Sequence, residues 1–156
     1  GKGKEKIAFV VDAPSPSNTR KQQGYRAGME RTGANKGETW IYATEENSVK
    51  GGYDVTVRII KEHPDVEGII YSVDRIAVGG VRAAFDQGRR VPEDLALVGV
   101  DNTVYGEICM PKLTTLDNRL QELNQAAAEM LRQGLEGNMQ SRMQMLYSEI
   151  IEREST

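Results

Sequence analysis

With 156 residues, 28% of them charged and 38% apolar, the chain is long enough for one domain with a real core and too apolar to be disordered. Its net charge of −3 offers no basic footprint for nucleic acid or for an anionic membrane surface. One cysteine, Cys109, and one histidine, His63, exclude an internal disulfide and any metal site built from several cysteines or histidines. No apolar run reaches the ~18 residues that a membrane span requires.

Residues 1–6 are basic and lack an apolar h-region, so they read as a linker and not as a signal peptide. Ile7–Val11 (IAFVV) is an unbroken, β-branched run of the kind that forms a strand buried on both faces. The loop that follows, DAPSPSNTR, predicts a helix capped by Ser17 or Asn18 and running from Arg20 to Arg31, with Gly33–Asn35 ending it. Thr39–Ala43 is a second strand. Asn47 or Ser48 caps a second helix whose buried face is expected at Val49, Tyr53, Val57 and Ile60, and which stops at His63-Pro64. Gly51 and Gly52 weaken its first turn.

Gly68–Ser72 is a third strand, Asp74–Gln87 a third helix with Ala77, Val81, Ala84 and Phe85 inward, and Leu95–Val100 a fourth strand. This β-α-β-α-β-α-β order predicts an α/β fold, an open parallel sheet with helices on both faces. Such sheets bind ligands at the carboxyl ends of their strands. Three aspartate-bearing loops should meet there: Asp12–Asn18, Val73–Arg75 and Asp101–Thr103. Beyond Pro111, KLTTLDN reads as a connector. Asn118–Leu135 is an amphipathic helix with Leu120, Leu123, Ala127, Met130, Leu131 and Leu135 on one face, and Met145–Ile151 is a final strand.

Among candidate site residues, Asp101 stands at the end of the fourth strand. An ionised carboxylate there accepts hydrogen bonds from two hydroxyls, as a sugar would offer; the alternative is an aspartate that caps its own loop. Asp74 reads as a helix cap that can also face a ligand, and Asn47 as a cap whose amide can bond hydroxyls. Trp40 reads as core, His63 as a surface residue and Cys109 as a packed small hydrophobe. No dinucleotide fingerprint or P-loop follows the first strand, and no nucleophile-base spacing appears, so an enzyme is not expected.

The block from Val73 to Thr115 carries D-x-x-A-x-G (Asp74–Gly79), G-x-x-V-P-x-D (Gly88–Asp94), a strand ending G-x-D-N (Gly99–Asn102) and P-x-L-T-T (Pro111–Thr115). It resembles the LacI/GalR family of bacterial transcription regulators. IAFVV with QGYRAGM upstream, and the closing Arg153-Glu154-Ser155-Thr156, resemble the flanking parts of that family. The resemblance implies one lobe of a periplasmic-binding-protein type I fold, in which two α/β lobes hold a small ligand between them. It aligns residues 7–156 with the C-terminal lobe, past that lobe's first helix, with residues 116–140 crossing to the opposite lobe.

The resemblance further implies a cytoplasmic repressor, usually a homodimer. It would sense a sugar-like effector, need no cofactor, and meet operator DNA only through an N-terminal helix-turn-helix outside this chain. A lobe of a secreted sugar-binding transport protein is the alternative. Asp101 takes the family's ligand-contacting aspartate position, and Asp74 lies beside the cleft. Lys21 stands where the family has an arginine that grips ligand oxygens, with Arg20 one place earlier. Asn47 falls where relatives carry an aromatic platform, and Val73 where they often carry a polar contact. Without an opposite lobe, the apolar stripe of residues 120–135 is expected to be covered by self-association or by folding back onto this lobe's own sheet.

Overall fold

The computed structural model describes residues 3–137, 143 and 145–156. Among these the strands are β1 (Ile7–Val11), β2 (Trp40–Ala43), β3 (Gly68–Tyr71), β4 (Ala96–Val100), β5 (Thr114–Asp117) and β6 (Glu149–Ile151), in the sheet order β2-β1-β3-β4-β5-β6. The first five run parallel and β6 pairs antiparallel with β5, so the open parallel sheet holds, with one reversed edge. The helices are α1 (Pro16–Thr32), α2 (Val49–Glu62), α3 (Asp74–Asp86), the short α4 (Val104–Ile108) and α5 (Leu120–Leu135).

Alternation along the strands divides the core in two. Ala8, Val10, Ile69, Tyr71 and Leu97 face Ile59 of α2 and Ile76 and Ala77 of α3. Phe9 and Val11, joined by Ile7, Ile41 and Ile70, face Tyr25 and Met29 of α1. The α2–α3 pair approaches closely because it meets at glycine. A Cβ on Gly52 would lie 1.9 Å from the Ile76 carbonyl oxygen, and one on Gly79 would lie 2.0 Å from that of Val49. The glycines that weaken α2 as an isolated helix are what let it dock.

Several expectations are corrected. The cap of α1 is Ser15, whose Oγ accepts from Asn18 N at 3.0 Å, because Pro16 suits the first helical position. The helix therefore starts before Arg20, and Asn18 is buried. Ser48, not Asn47, caps α2. With the glycines turned towards α3, the buried face of α2 is Val55, Thr56, Ile59 and Ile60. Of the expected four only Ile60 is buried, and Val49 is 41% exposed.

Phe85 is 74% exposed, whereas Ala83 is fully buried; Arg82 lies over the Phe85 ring. Residues 114–117, expected as connector, are strand β5, and the final strand begins at Glu149 rather than Met145. No residue of α5 is buried, so its apolar stripe does not fold back onto this lobe's sheet. The stretch expected to cross between lobes, 116–140, runs partly outside the described residues, as does the start of the expected linker 1–6.

Trp40 is half-buried at the margin of the larger core and stacks on His63 with ring centroids 3.8 Å apart. Cys109 packs against the same core.

Candidate functional site

Sheet order reverses at β1, which has β2 on one side and β3 on the other. The loops leaving β1 and β3 diverge to opposite faces there, opening a crevice at the carboxyl ends of the strands. Polar residues gather at this point. Asp12, directly after β1, accepts from Ser72 Oγ at 2.6 Å and from Asn18 Nδ2 at 2.8 Å on Oδ1, and from Asn47 Nδ2 at 2.8 Å on Oδ2. Burial opposes its ionisation, but the bonds from Ser72 and Asn18, with the charge of Lys21 nearby, outweigh that and hold its carboxyl below the ordinary value.

Lys21, on the first turns of α1, donates to the Ser72 carbonyl at 2.7 Å. It stands close enough to Asp101 to favour that carboxylate's charge. Asp101 follows β4 and is half-buried. Its Oδ1 accepts from Asn118 Nδ2 at 2.9 Å. Burial holds this carboxyl above its ordinary value; Lys21 and Asn118 oppose the shift, and the neighbouring charges of Asp74 and Asp12 reinforce it. Two carboxylates with opposite shifts therefore flank one lysine. Asp101 through its unbonded oxygen, and Asp12 through the Oδ2 that it lends only to the exposed Asn47, can accept from hydroxyls, and Lys21 keeps N–H groups beyond its bond to Ser72 to donate to a ligand oxygen.

The remaining candidates have different places. Asp74 is fully buried as the first residue of α3, with Val73 in the cap position. Its Oδ2 accepts from Thr103 N at 2.7 Å and Thr103 Oγ1 at 3.0 Å, and its Oδ1 from Thr115 Oγ1 at 2.6 Å. With both oxygens taken, Asp74 fastens the Asp101–Thr103 loop rather than facing outward. A Cβ on Gly99 would lie 2.1 Å from Asp74 Oδ1, which is why glycine precedes Val100 and Asp101. Val73 is half-buried against the larger core. Asn47 is exposed and reaches the cluster through Asp12. Arg20 is exposed, about 100° around α1 from Lys21.

Sequence reasoning placed Asp12 in a converging loop without giving it a site role, and it missed Ser72, Asn18 and Asn118. Asp12 has the same signal as Asp101, an aspartate directly after a buried strand. Ser72 and Asn118 carry none, since their partners are 60 and 17 residues away, while Asn18, six residues from Asp12, reads only as a cap. A more apolar hollow of about 770 Å3, lined by Ile70, Ala96, Val98 and Ile150 among others, lies on the sheet face away from this cluster.

Over residues 1–156 the chain matches the family model described as periplasmic binding protein-like domain. The NTD biosynthesis operon regulator of Bacillus subtilis strain 168 is 31% identical over 160 residues, covering 99% of this chain and 48% of that protein. The ribose operon repressor of Escherichia coli strain K12 is 28% identical over 131 residues, covering 83% of this chain and 39% of the repressor. A solved LacI family transcriptional regulator from Arthrobacter sp. FB24, in complex with lactose, superposes with a TM-score of 0.84 at 28% identity, over 99% of this chain and 58% of that one. The chain thus spans about half the length of the curated relatives that it matches along its whole length.

Proposed function

Since the chain belongs to the periplasmic binding protein-like domain family, we propose that it is the effector-binding lobe of a LacI/GalR-type transcription regulator, sensing a small polyhydroxylated ligand of the sugar class. The observation that carries this reading is the pair Asp12 and Asp101 around Lys21 at the reversal point of the sheet. Hydroxyl groups match such a set, because each carboxylate accepts without donating and the ammonium donates without accepting. The wet apolar stripe on α5, with Leu131 66% and Leu135 81% exposed, supports an opposing lobe in the longer protein. A ligand bridging two lobes biases their closure and, through a helix-turn-helix elsewhere in the protein, operator affinity.

The proposal extends to a cytoplasmic homodimer. Phe85, Val104, Ile108 and Met110 are all more than 60% exposed, and Phe85 and Met110 line one surface hollow. The Arg82–Asp86 and Arg90–Asp94 ion pairs give this side of the molecule both signs of charge, so two copies related by a two-fold axis can match.

The test is a thermal-shift screen of the full-length protein against D-ribose, lactose and adenosine. Stabilisation by a sugar that Asp101→Ala abolishes is the expected result. Stabilisation that survives Asp101→Ala, or stabilisation by the nucleoside alone, overturns the assignment of the site to a sugar.

A further inference from the structure

Asp101 and Asn102 are consecutive non-glycine residues with positive φ, 99° and 47°. This backbone is strained for side chains with a Cβ, and it persists only where its surroundings over-determine it. Asn102 has three such restraints. Its N–H donates to Thr115 Oγ1 at 3.2 Å, its Nδ2 to Asp117 Oδ2 at 3.0 Å, and its Oδ1 accepts from Arg153 Nη2 at 2.7 Å. Only one orientation of the amide satisfies both side-chain partners, because a guanidinium can only donate and a carboxylate can only accept.

We infer that Arg153 is a positioning residue for Asp101, acting through Asn102 to hold the left-handed pair that presents the Asp101 carboxylate to ligand. The inference rests on the reading of Asp101 as a ligand group. Arg153 is well built for this task. Its side chain is only 13% exposed, and its Nη1 donates to the Leu113 carbonyl at 2.9 Å while Nη2 reaches Asn102. Two divergent donors at fixed angles are a property of the guanidinium fork, and a lysine ammonium supplies one point of charge instead.

The guanidinium also passes close to Gly106, where a Cβ would lie 3.3 Å from Nη1. The backbone of Arg153 is itself anchored, with its N–H on Thr114 Oγ1 at 2.9 Å. Two residues on, Ser155 donates to the Leu97 carbonyl and accepts from Thr114 N. The C-terminal segment therefore grips β4 and β5, the two strands whose carboxyl ends carry Asp101 and Asn118. The relay continues past Asn102, since Asp117 Oδ1 accepts from Arg119 N at the head of α5.

The test follows the carboxyl carbon of Asp101 by NMR through a pH titration of the full-length protein carrying 13C-labelled aspartate, with no ligand present. Lys21, Asp12 and Asp74 act on Asp101 in every variant, so their influence is common background. In Asn102→Ala and Arg153→Met the midpoint should fall towards the ordinary value of about 3.9 as the loop opens to water, with altered shifts at 101–103. Arg153→Lys should lie between these and the parent. Asp65, paired with Lys6 at the opposite end of the sheet, serves as the unchanged internal reference. A merely structural arginine would lower the unfolding midpoint and leave the Asp101 titration alone, which would overturn the inference. Should Arg153→Met not fold, Asn102→Ala decides by itself. Loss of the sugar reading in the Asp101→Ala screen is a separate failure, because these titrations use no ligand.

Discussion

Thr115 Oγ1 donates to Asp74 Oδ1 at 2.6 Å, joining the first residue of α3 to the middle of β5 across 41 residues of sequence, with both partners fully buried. The other oxygen of Asp74 holds Thr103, so a single carboxylate ties a helix start, a strand and the loop of the candidate site. Replacing Asp74 by Asn keeps the volume but makes its three buried bonds neutral and turns its amide nitrogen towards a hydroxyl that had donated to the carboxylate. Hydrogen bonds to a charged group contribute about 1.5–3 kcal/mol, against about 1 kcal/mol for neutral ones. Asp74→Asn should therefore lower stability by about 2–3 kcal/mol in urea denaturation; a variant of unchanged stability would show that the carboxylate is not needed there.

The α2–α3 contact provides a second prediction. A methyl group on Gly79 meets backbone, Val49 O at 2.0 Å and Tyr53 N at 2.6 Å, so neither helix can yield locally. In an exposed helix, glycine to alanine is favourable by up to ~1 kcal/mol. Here Gly79→Ala should instead be destabilising by about 1–3 kcal/mol, as over-packing usually is. Calorimetry on this variant beside Gly28→Ala, whose added Cβ would meet nothing within 4 Å, separates the two effects.

Asp12 and Asp101 predict opposite pH dependence. The folded-state pKa of Asp12 is lowered against burial by its bonds to Ser72 and Asn18. Its stabilising contribution is thus complete above the unfolded carboxyl value of about 3.9 and is lost as pH falls through the lower folded value. The folded-state pKa of Asp101 is raised, first by burial, so its charged form opposes folding at neutral pH, and protonation relieves this as pH falls through the folded value towards the unfolded one of about 3.9. Asp101→Asn should raise the melting temperature at pH 7 and leave it nearly unchanged at pH 3. A fall in melting temperature at pH 7 would contradict the assigned cause.

The exposed apolar side of α3 and α4 predicts the effect of charge on assembly. Phe85→Asp places a carboxylate at a position 74% exposed in the single chain, so folding should be little affected. If two copies meet there, desolvating that carboxylate should weaken the dimer at least tenfold, equivalent to about 1.4 kcal/mol or more. Sedimentation equilibrium of the full-length protein gives the dissociation constant, and an unaltered value would move the interface elsewhere.

Much of the fold was legible because it follows from local signals. Five of the strands and four of the helices fall near their expected places, since buried strands and amphipathic helices announce themselves through composition and period. Errors cluster where tertiary contact overrides the local pattern. Thr114–Asp117 reads as a connector because the pattern of unbroken apolar strands stops at Pro111. It is a strand because its backbone pairs with β4 and β6, where Thr114 and Thr115 also find partners for their hydroxyls in Thr156 and Asp74. The face of α2 was misjudged because its glycines, read as weak points, are its contact points with α3. Phe85 falls on the helical spacing of the expected inward face, yet it is 74% exposed while Ala83 and Ala84 beside it are fully buried.

What the sequence by itself determined is the architecture, the family, and the presence of aspartates at the carboxyl ends of buried strands. These depend on residues a few places apart, and a short-range pattern contains them. Only the tertiary structure decided which aspartates face outward. Asp74 and Asp101 look alike in the chain, each in a loop after an apolar strand. Asp74 is sealed by Thr103 and Thr115, while Asp101 stays partly exposed and keeps one oxygen beyond its bond to Asn118. The physical reason is that burial and hydrogen-bond saturation of these two are set by groups 17 to 41 residues away, which no local pattern records.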